Sequence, residues 1–338
     1  MWASEQLVLC RDDELGLRAV IAIDDTTLGP GLGGVRMKAY PSDAAAVAEC
    51  RRLGAAMTLK NAVAELPFGG AKSVILAPRE GVDRAALMRR FGAFVARTNG
   101  AYVPGVDMGT TIEDLALIGE SGADVSCSDE DPSPWTALGV AAAVRAAVAH
   151  VDGRDDLDGV RVLVQGTGHV GAALARDLAA DGARVLLADV DAERAAGLAR
   201  ELAGETVDPA AALETPCDVL APCALARVVS EQTVGRLACR IVAGAANDTL
   251  AEPACAALLA ARGIAYVPDF VANAGGVVHI HALREGWDET RLRERVLAIG
   301  ERVRELLAEA EADGVTSLGA AEARAARRLG GARDEVAA

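Results

Sequence analysis

Three features of this 338-residue sequence predict an α/β protein in two domains. Its length is more natural for two domains than for one. From residue 160 onward short apolar runs alternate with helix-length segments, the pattern of a doubly wound parallel sheet covered on both faces. Before residue 130, strands and helices mix without that beat, so the expected architecture is an N-terminal α/β domain followed by the parallel-sheet domain, with a cleft between them.

Taken in order, Gln6 to Cys10 and Leu17 to Ile23 are strand-like runs flanking the charged turn Arg11-Asp12-Asp13-Glu14, which reads as a hairpin. Ser42 and Asp43 offer an N-cap to an alanine-rich helix ending near Met57, with Val47, Leu53 and Met57 on its buried side. Val74-Ile75-Leu76 follows Lys72 as a short strand, and residues 83 to 98 read as a helix. Asp129-Glu130-Asp131-Pro132 suits a boundary, after which Trp135 to Val151 forms an alanine-rich helix. Strands are then expected at Val160 to Val164, Val185 to Ala188, Val219 to Ala221, Ile241 to Ala243 and Ile264 to Val267.

Composition excludes several classes. A formal net charge of -15 argues against nucleic acid, which demands clustered Lys and Arg. The seven cysteines are scattered without a C-x-x-C pair, so buried free thiols are expected rather than disulfides or zinc. His279 and His281, at i and i+2, diverge on a helix, and no metal site is expected. The N-terminus lacks the basic flank and apolar stretch of a signal peptide, and no membrane partner is indicated, which by default places the chain in the cytoplasm.

The strand Val160 to Val164 runs into Gly166-Thr167-Gly168-His169-Val170-Gly171 and a helical stretch. That is G-x-G-x-x-G in strand-turn-helix context, the dinucleotide turn of a Rossmann fold. A side chain at the turn would hold a pyrophosphate away from the helix amides, where partial positive charge collects. The second strand ends at Asp189, 18 positions after Gly171, where a carboxylate accepts hydrogen bonds from ribose hydroxyls. Asp189 also repels a 2'-phosphate, so NAD is favoured over NADP, with Arg194 the residue that opposes that reading.

Among 34 basic residues, the lysines are Lys38, Lys60 and Lys72 alone, all within 35 positions of one another. Arginine does not deprotonate in a protein, whereas a buried lysine exchanges protons. Two lysines spent in a glycine-rich segment point to amine chemistry there.

Met57-Thr58-Leu59-Lys60-Asn61-Ala62 and Leu66-Pro67-Phe68-Gly69-Gly70-Ala71-Lys72-Ser73-Val74-Ile75 resemble the catalytic region of the glutamate, leucine, phenylalanine and valine dehydrogenase family. Similarity extends to Gly29-Pro30-Gly31-Leu32-Gly33-Gly34, Asp107-Met108-Gly109-Thr110, Pro222-Cys223-Ala224, Gly244-Ala245-Ala246-Asn247 and Asn273-Ala274-Gly275-Gly276, in order over nearly the whole chain. The branched-chain and aromatic enzymes are closer than the glutamate enzymes, which are longer. One departure is that Leu76-Ala77-Pro78-Arg79 closes the strand after the lysine early, a loop variation.

The resemblance implies NAD-dependent oxidative deamination of an apolar L-amino acid, such as leucine, valine, isoleucine or phenylalanine, to its 2-oxo acid and ammonia. It makes Lys72 the catalytic lysine, Asp107 the group exchanging protons with the amine, and Lys60 the holder of the substrate carboxylate. Gly33 and Gly34 join the substrate-binding residues, Gly69 and Gly70 let substrate approach the main chain closely, and Leu32, Met57, Gly105, Val277 and Ile280 line the side-chain pocket. Gly166, Gly168, His169, Val170, Gly171, Asp189, Ala245, Asn247 and Asn273 become the cofactor contacts. A lysine among glycines, close to a second ammonium and partly desolvated, is expected to have a pKa lowered to about 7 to 8.

A pocket without a paired cation disfavours glutamate. The family also implies a homo-oligomer. The expected domains are 1–133 for substrate and assembly, 134–287 for NAD, and C-terminal helices over 288–338 bracing a cleft that closes for catalysis. Two alternatives stand beside this reading: a lysine-dependent NAD enzyme acting on a hydroxy acid, and a non-catalytic NAD-binding regulator.

Overall fold

A computed structural model describes residues 4–126 and 130–337; Cys127 and Asp129 of the sequence reading lie outside the described residues. The chain divides into one unit of Met1–Glu130 with Arg324–Ala338 and a second of Asp131–Ala323.

The first unit opens with the antiparallel hairpin of β1 (Gln6–Asp12) and β2 (Leu17–Asp25). Then come β3 (Gly31–Lys38), α1 (Asp43–Val63), β4 (Gly69–Leu76), α2 (Arg84–Ala96), β5 (Tyr102–Val106) and α3 (Ile112–Gly119). The sheet order is β1-β2-β4-β3-β5, with β3 parallel to both β4 and β5. Strand alternation sends Leu17, Ile21, Ile23, Val35 and Ile75 to one face, where Phe91 of α2 and Leu115 of α3 cover them. Val20, Ala22 and Val74 go to the other, under Ala46 and Cys50 of α1. The central strands β2 and β4 are covered on both faces, which is why Leu17–Ile23 and Val74–Leu76 read as near-continuous apolar runs.

Helix α1 starts where expected, with the Ser42 Oγ accepting from Ala45 N at 3.1 Å, but it runs to Val63 rather than Met57. Its apolar pattern lapses at Thr58 and Asn61, yet both are buried with partners. Thr58 Oγ1 donates to Asp24 Oδ2 at 2.6 Å and Asn61 Nδ2 to the Gly69 carbonyl at 2.6 Å, so polar residues continue the buried face. That face is Ala46, Cys50, Leu53, Gly54, Thr58 and Asn61, small enough for the helix to lie close on the sheet, while Val47 and Met57 are half-buried.

Lys72 lies within β4, not ahead of it. Gly69 and Gly70, expected to let substrate approach the main chain, are the first residues of β4, and a Cβ at Gly70 would run into the backbone of Thr58. Their bareness serves the helix-to-strand approach.

In the second unit, α4 (Ser133–Asp152) precedes β6 (Arg161–Gln165), α5 (His169–Ala180), β7 (Arg184–Ala188), α6 (Ala192–Leu202), β8 (Glu205–Thr206) and β9 (Val219–Pro222). There follow β10 (Ile241–Val242), α7 (Cys255–Ala261), β11 (Ala265–Tyr266), α8 (Asp269–Ala272), α9 (Gly275–Glu285), α10 (Glu289–Asp313) and α11 (Ser317–Ala337), of which the residues from Arg324 belong to the first unit. The order β11-β10-β9-β6-β7-β8 is parallel throughout. All five expected runs carry a strand. The sixth, β8, is two exposed residues with no apolar signal to betray it.

Helix α4 is apolar and long enough to cross a membrane by composition, but it is the core helix of this unit. It packs against α10, α5 and α9, and Gly139 leaves room for the Ile299 side chain of α10.

The expected C-terminal segment 288–338 divides. Helix α10 stays in the second unit, and the chain from Arg324 groups with the first. There Arg328 donates from Nη1 to the Ala62 carbonyl at 2.7 Å and from Nη2 to the Leu66 carbonyl at 3.0 Å, satisfying carbonyls at and beyond the end of α1. The six described cysteines are unpaired thiols.

Candidate active site

The chemistry-bearing residues of the first unit meet at the α1-facing side of β3, β4 and the loop after β5. Lys72, its side chain 8% exposed, points Nζ at Asp107 Oδ2, 2.7 Å away. The Asp107 loop is pinned by Thr110, whose Oγ1 accepts from Asp107 N at 3.1 Å and donates to the Val35 carbonyl at 2.7 Å. Gly34 lies under the pair: a Cβ there would stand 2.7 Å from Asp107 Cβ and 3.2 Å from Lys72 Nζ. Burial pushes the Asp107 carboxyl up, but Lys72 and then Arg36 outweigh it and hold it at about 2. Lys72 therefore faces a carboxylate.

Around this pair, Leu32 and Gly33 lie buried on β3 and Gly105 on β5. Met57 of α1 hangs over Gly33, its Cγ 3.3 Å from where a Gly33 Cβ would be. Lys60, one turn along at the C-terminal end of α1, is half-buried, where the negative end of the helix dipole favours a cation. Val277 and Ile280 lie half-buried on α9, in the other unit.

The glycine turn of the second unit joins β6 to α5. Gly166 has φ +100°, and its N donates to the Ala188 carbonyl at 2.7 Å. A Cβ on Gly171 would run into the Gly166 carbonyl, whereas at Gly168 it would meet no protein atom within 4 Å. The first constraint is internal packing; the second is space left for something else. A groove of about 570 Å³ opens beside the turn, lined in part by Thr167, Gly168, His169 and Arg194. Val170 is half-buried in the first turn of α5, and His169 is exposed, 3.6 Å from Asp131.

Asp189 accepts from Thr167 N at 2.6 Å, Thr167 Oγ1 at 2.9 Å, Asp191 N at 2.9 Å and Arg194 Nη2 at 2.7 Å. Burial raises its pKa, and these donors bring it down to about 2. Asp191, not Asp189, caps α6. Further along, Asn273 Nδ2 donates to the Ala245 carbonyl at 3.0 Å and to Asn247 Oδ1 at 2.9 Å, leaving its own Oδ1 buried without a partner among the described residues.

Two family models match this chain: the dimerisation domain of Glu/Leu/Phe/Val dehydrogenases over residues 5–121, and the glutamate/leucine/phenylalanine/valine dehydrogenase domain over residues 186–332. The chain belongs to this dehydrogenase family. It is 39% identical over 331 residues to leucine dehydrogenase of Thermoactinomyces intermedius, covering 96% of this chain and 90% of that one. Valine dehydrogenase of Streptomyces coelicolor is 38% identical over 339 residues, covering 97% and 93%. Among solved structures, L-tryptophan dehydrogenase from Nostoc punctiforme superposes with a TM-score of 0.84 at 34% identity, covering 98% of this chain and 97% of that one. This protein is accordingly an amino acid dehydrogenase, and the hydroxy acid and regulator alternatives are not favoured.

Sequence reasoning missed one charged residue of this cluster. Arg36 Nε lies 3.0 Å from Asp107 Oδ2, and its Nη1 lies 2.8 Å from Glu49 Oε1. The signal was present in strand alternation, because Gly34, Arg36 and Lys38 share the face opposite to Val35, and an arginine on a buried strand face needs a partner.

The two depressed carboxyls make stability pH-dependent. Each contributes fully above the ordinary aspartate value of 3.8 and loses its contribution as pH falls through about 2. Denaturant midpoints are expected to hold level above pH 4 and fall below it, and Asp107→Asn to flatten part of that fall. A variant falling as steeply as wild type would remove Asp107 from the account.

Proposed function

We propose that the enzyme oxidatively deaminates apolar L-amino acids, such as leucine, valine, isoleucine or phenylalanine, with NAD, releasing the 2-oxo acid and ammonia in a reversible reaction. The observation that carries this reading is the buried Lys72–Asp107 pair at 2.7 Å, set over side-chain-free Gly34 and neighboured by the apolar Leu32 and Met57. NAD, when bound, supplies the hydride acceptor for the substrate α carbon. The fit of such a group is supported by the open space at Gly168, by the acidic Asp189 at the end of β7, and by the unpartnered Asn273 Oδ1. Arg194 is engaged by Asp189 and Asp191, so its charge is not offered to a 2'-phosphate, which favours NAD over NADP.

Lys60 neutralises the substrate carboxylate. Asp107 takes a proton from the substrate ammonium, since a neutral amine must form before the α carbon gives up hydride. Lys72 then manages the proton of the water that adds to the resulting imine, and Asp107 returns a proton to the departing ammonia. Leu32, Met57, Gly105, Val277 and Ile280 receive the side chain. A glutamate carboxylate among them would be buried without a cation. A methylene changes selectivity by only about 1 to 3 kcal/mol, so overlapping activities are expected. The name of the matched dimerisation domain supports a homo-oligomer assembled through the N-terminal unit.

The test is NADH formation from leucine, valine, isoleucine, phenylalanine, tryptophan and glutamate, with ammonia measured in parallel and NADP as the rival cofactor. Faster turnover of the apolar substrates with NAD is expected. Glutamate turned over faster than leucine and phenylalanine would overturn the specificity, and NADH formed without ammonia would overturn the reaction.

A further inference from the structure

We propose that Arg36 is a positioning residue that aims the Asp107 carboxylate and keeps it ionised, whichever protonation state Lys72 adopts, until the substrate ammonium delivers its proton, an inference that rests on Asp107 as the group serving the substrate amine.

Asp107 Oδ2 takes the short contacts, 2.7 Å from Lys72 Nζ and 3.0 Å from Arg36 Nε, whereas Oδ1 has a 3.4 Å contact from Arg36 Nη2. A guanidinium is a planar fork, so two of its nitrogens on one carboxylate fix the carboxylate plane as well as its position. The Met108 N–H also donates to this carboxylate, and Oδ1, which has no short contact to either cation, is the oxygen able to accept a proton from an ammonium and hand it back.

When Lys72 gives up its proton, Asp107 loses one of its two cationic neighbours while its side chain remains 19% exposed. With no other cation, a buried carboxylate in that state would take up a proton itself. Arginine stays protonated throughout, so the Arg36–Asp107 pair remains neutral in sum whichever form Lys72 adopts. The proton exchange at Lys72 is then uncoupled from an unwanted protonation of Asp107.

Arg36 is itself clamped from behind. Its side chain is 13% exposed, and Nη1 lies 2.8 Å from Glu49 Oε1 on α1, whose other oxygen lies 2.9 Å from Lys38 Nζ. Lys38, Glu49, Arg36, Asp107 and Lys72 therefore alternate in sign across β3, α1, β4 and the β5 loop. Among the described residues, the buried Tyr102 hydroxyl also lies near Asp107 and the Tyr40 hydroxyl near Glu49 and Arg36; burial pushes both pKa values up, so both stay neutral. At the far end of the loop Arg84 and Asp114 pair with each other, 2.6 Å apart. Lys38 is the one lysine of the three that the proposed chemistry leaves unused, and this chain gives it a role.

The test uses wild type, Arg36→Gln, Arg36→Lys and Glu49→Gln in the full-length enzyme. With leucine, Arg36→Gln is expected to lose about 10²-fold in kcat, the order of loss for a reacting group displaced by about an ångström, with a much smaller change in KM. The acid-side limb of its kcat/KM profile is expected to move to higher pH. Arg36→Lys is expected to restore the limb, because a cation returns, but not the full kcat, because one ammonium cannot span both carboxylates. Glu49→Gln, which loosens the clamp and retains the arginine, is expected to show a milder loss of the same kind.

A readout independent of turnover is the carbon-13 titration of aspartate-labelled protein, with Asp107 assigned by its absence in Asp107→Asn. Its midpoint is expected to rise in Arg36→Gln and to return in Arg36→Lys. Kinetics and titration in Arg36→Gln matching wild type, or a loss confined to melting temperature, would overturn the inference. Wild type inactive on all apolar amino acids while the Asp107 midpoint still rises in Arg36→Gln would sink the proposed reaction and leave the hold of Arg36 on Asp107 standing.

Discussion

Replacing Lys72 with alanine is expected to leave an enzyme that binds NAD as wild type does but turns over leucine about 10²- to 10⁴-fold more slowly, the range that a positioned acid/base supplies. Lys72 is 6% exposed on β4, and its Nζ is the group closest to Asp107. The glycine turn and Asp189, the proposed cofactor contacts, are left unchanged by the substitution. Lys72→Arg sharpens the test. It preserves a cation beside Asp107 but cannot release a proton, so it is expected to be nearly as slow as alanine despite the restored charge. Steady-state kinetics with a cofactor titration by fluorescence would check both. If Lys72→Arg recovered more than about a tenth of wild-type turnover, Lys72 would be acting by charge alone and the acid/base assignment would have to move, with Asp107 the remaining candidate.

Stability is expected to suffer less than the burial of the pair suggests. Removing one partner of a buried ion pair typically costs about 3–5 kcal/mol because a charge is left uncompensated. Here Arg36 remains at 3.0 Å from Asp107, so Lys72→Ala should stay well below that range, and a folded, inactive variant is the expected outcome.

What the sequence disclosed and what it hid follow one physical division. The parallel strands were legible because each is buried on both faces, as with Val162 to Val164 and Leu186 to Ala188, and burial demands apolar side chains whatever the neighbours. The glycine turn was legible because its demands are local: φ +100° at Gly166 and a carbonyl in the path of any Cβ at Gly171. Lys72 and Asp107 are 35 positions apart, and their meeting depends on β4 and β5 both flanking β3. That is a tertiary fact, and it was reached only through resemblance to a family. Arg36 was missed for the same reason, since nothing local says that an arginine two residues beyond Gly34 will find an aspartate 71 positions away. Helix α1 overran its expected end because the partners of Thr58 and Asn61 belong to β2 and β4. Polar residues with distant partners look like surface until the partners are known.

Gly33 and Gly34 are expected to fail in different ways when replaced by alanine. Neither has positive φ, so the cost is space rather than backbone conformation. At Gly33 a methyl group would run into the Ala71 carbonyl on the paired strand β4. Backbone cannot step aside without breaking the β3–β4 pairing, so the cost should exceed the roughly 1–3 kcal/mol of ordinary overpacking, and Gly33→Ala is expected to melt far below wild type or to be lost from the soluble fraction. At Gly34 the methyl group meets side chains instead: Asp107 Cβ at 2.7 Å and Lys72 Nζ at 3.2 Å, with the Val106 carbonyl at 3.0 Å. A lysine ammonium can swing and the Asp107 loop can shift by a few tenths of an ångström. The protein should therefore fold, with the Lys72–Asp107 pair pushed apart and turnover reduced by about 10²-fold. Melting curves and leucine kinetics on the two purified variants separate the cases. A Gly34→Ala enzyme with wild-type turnover would mean that the pair tolerates displacement, and the argument that its geometry carries the chemistry would fall with it.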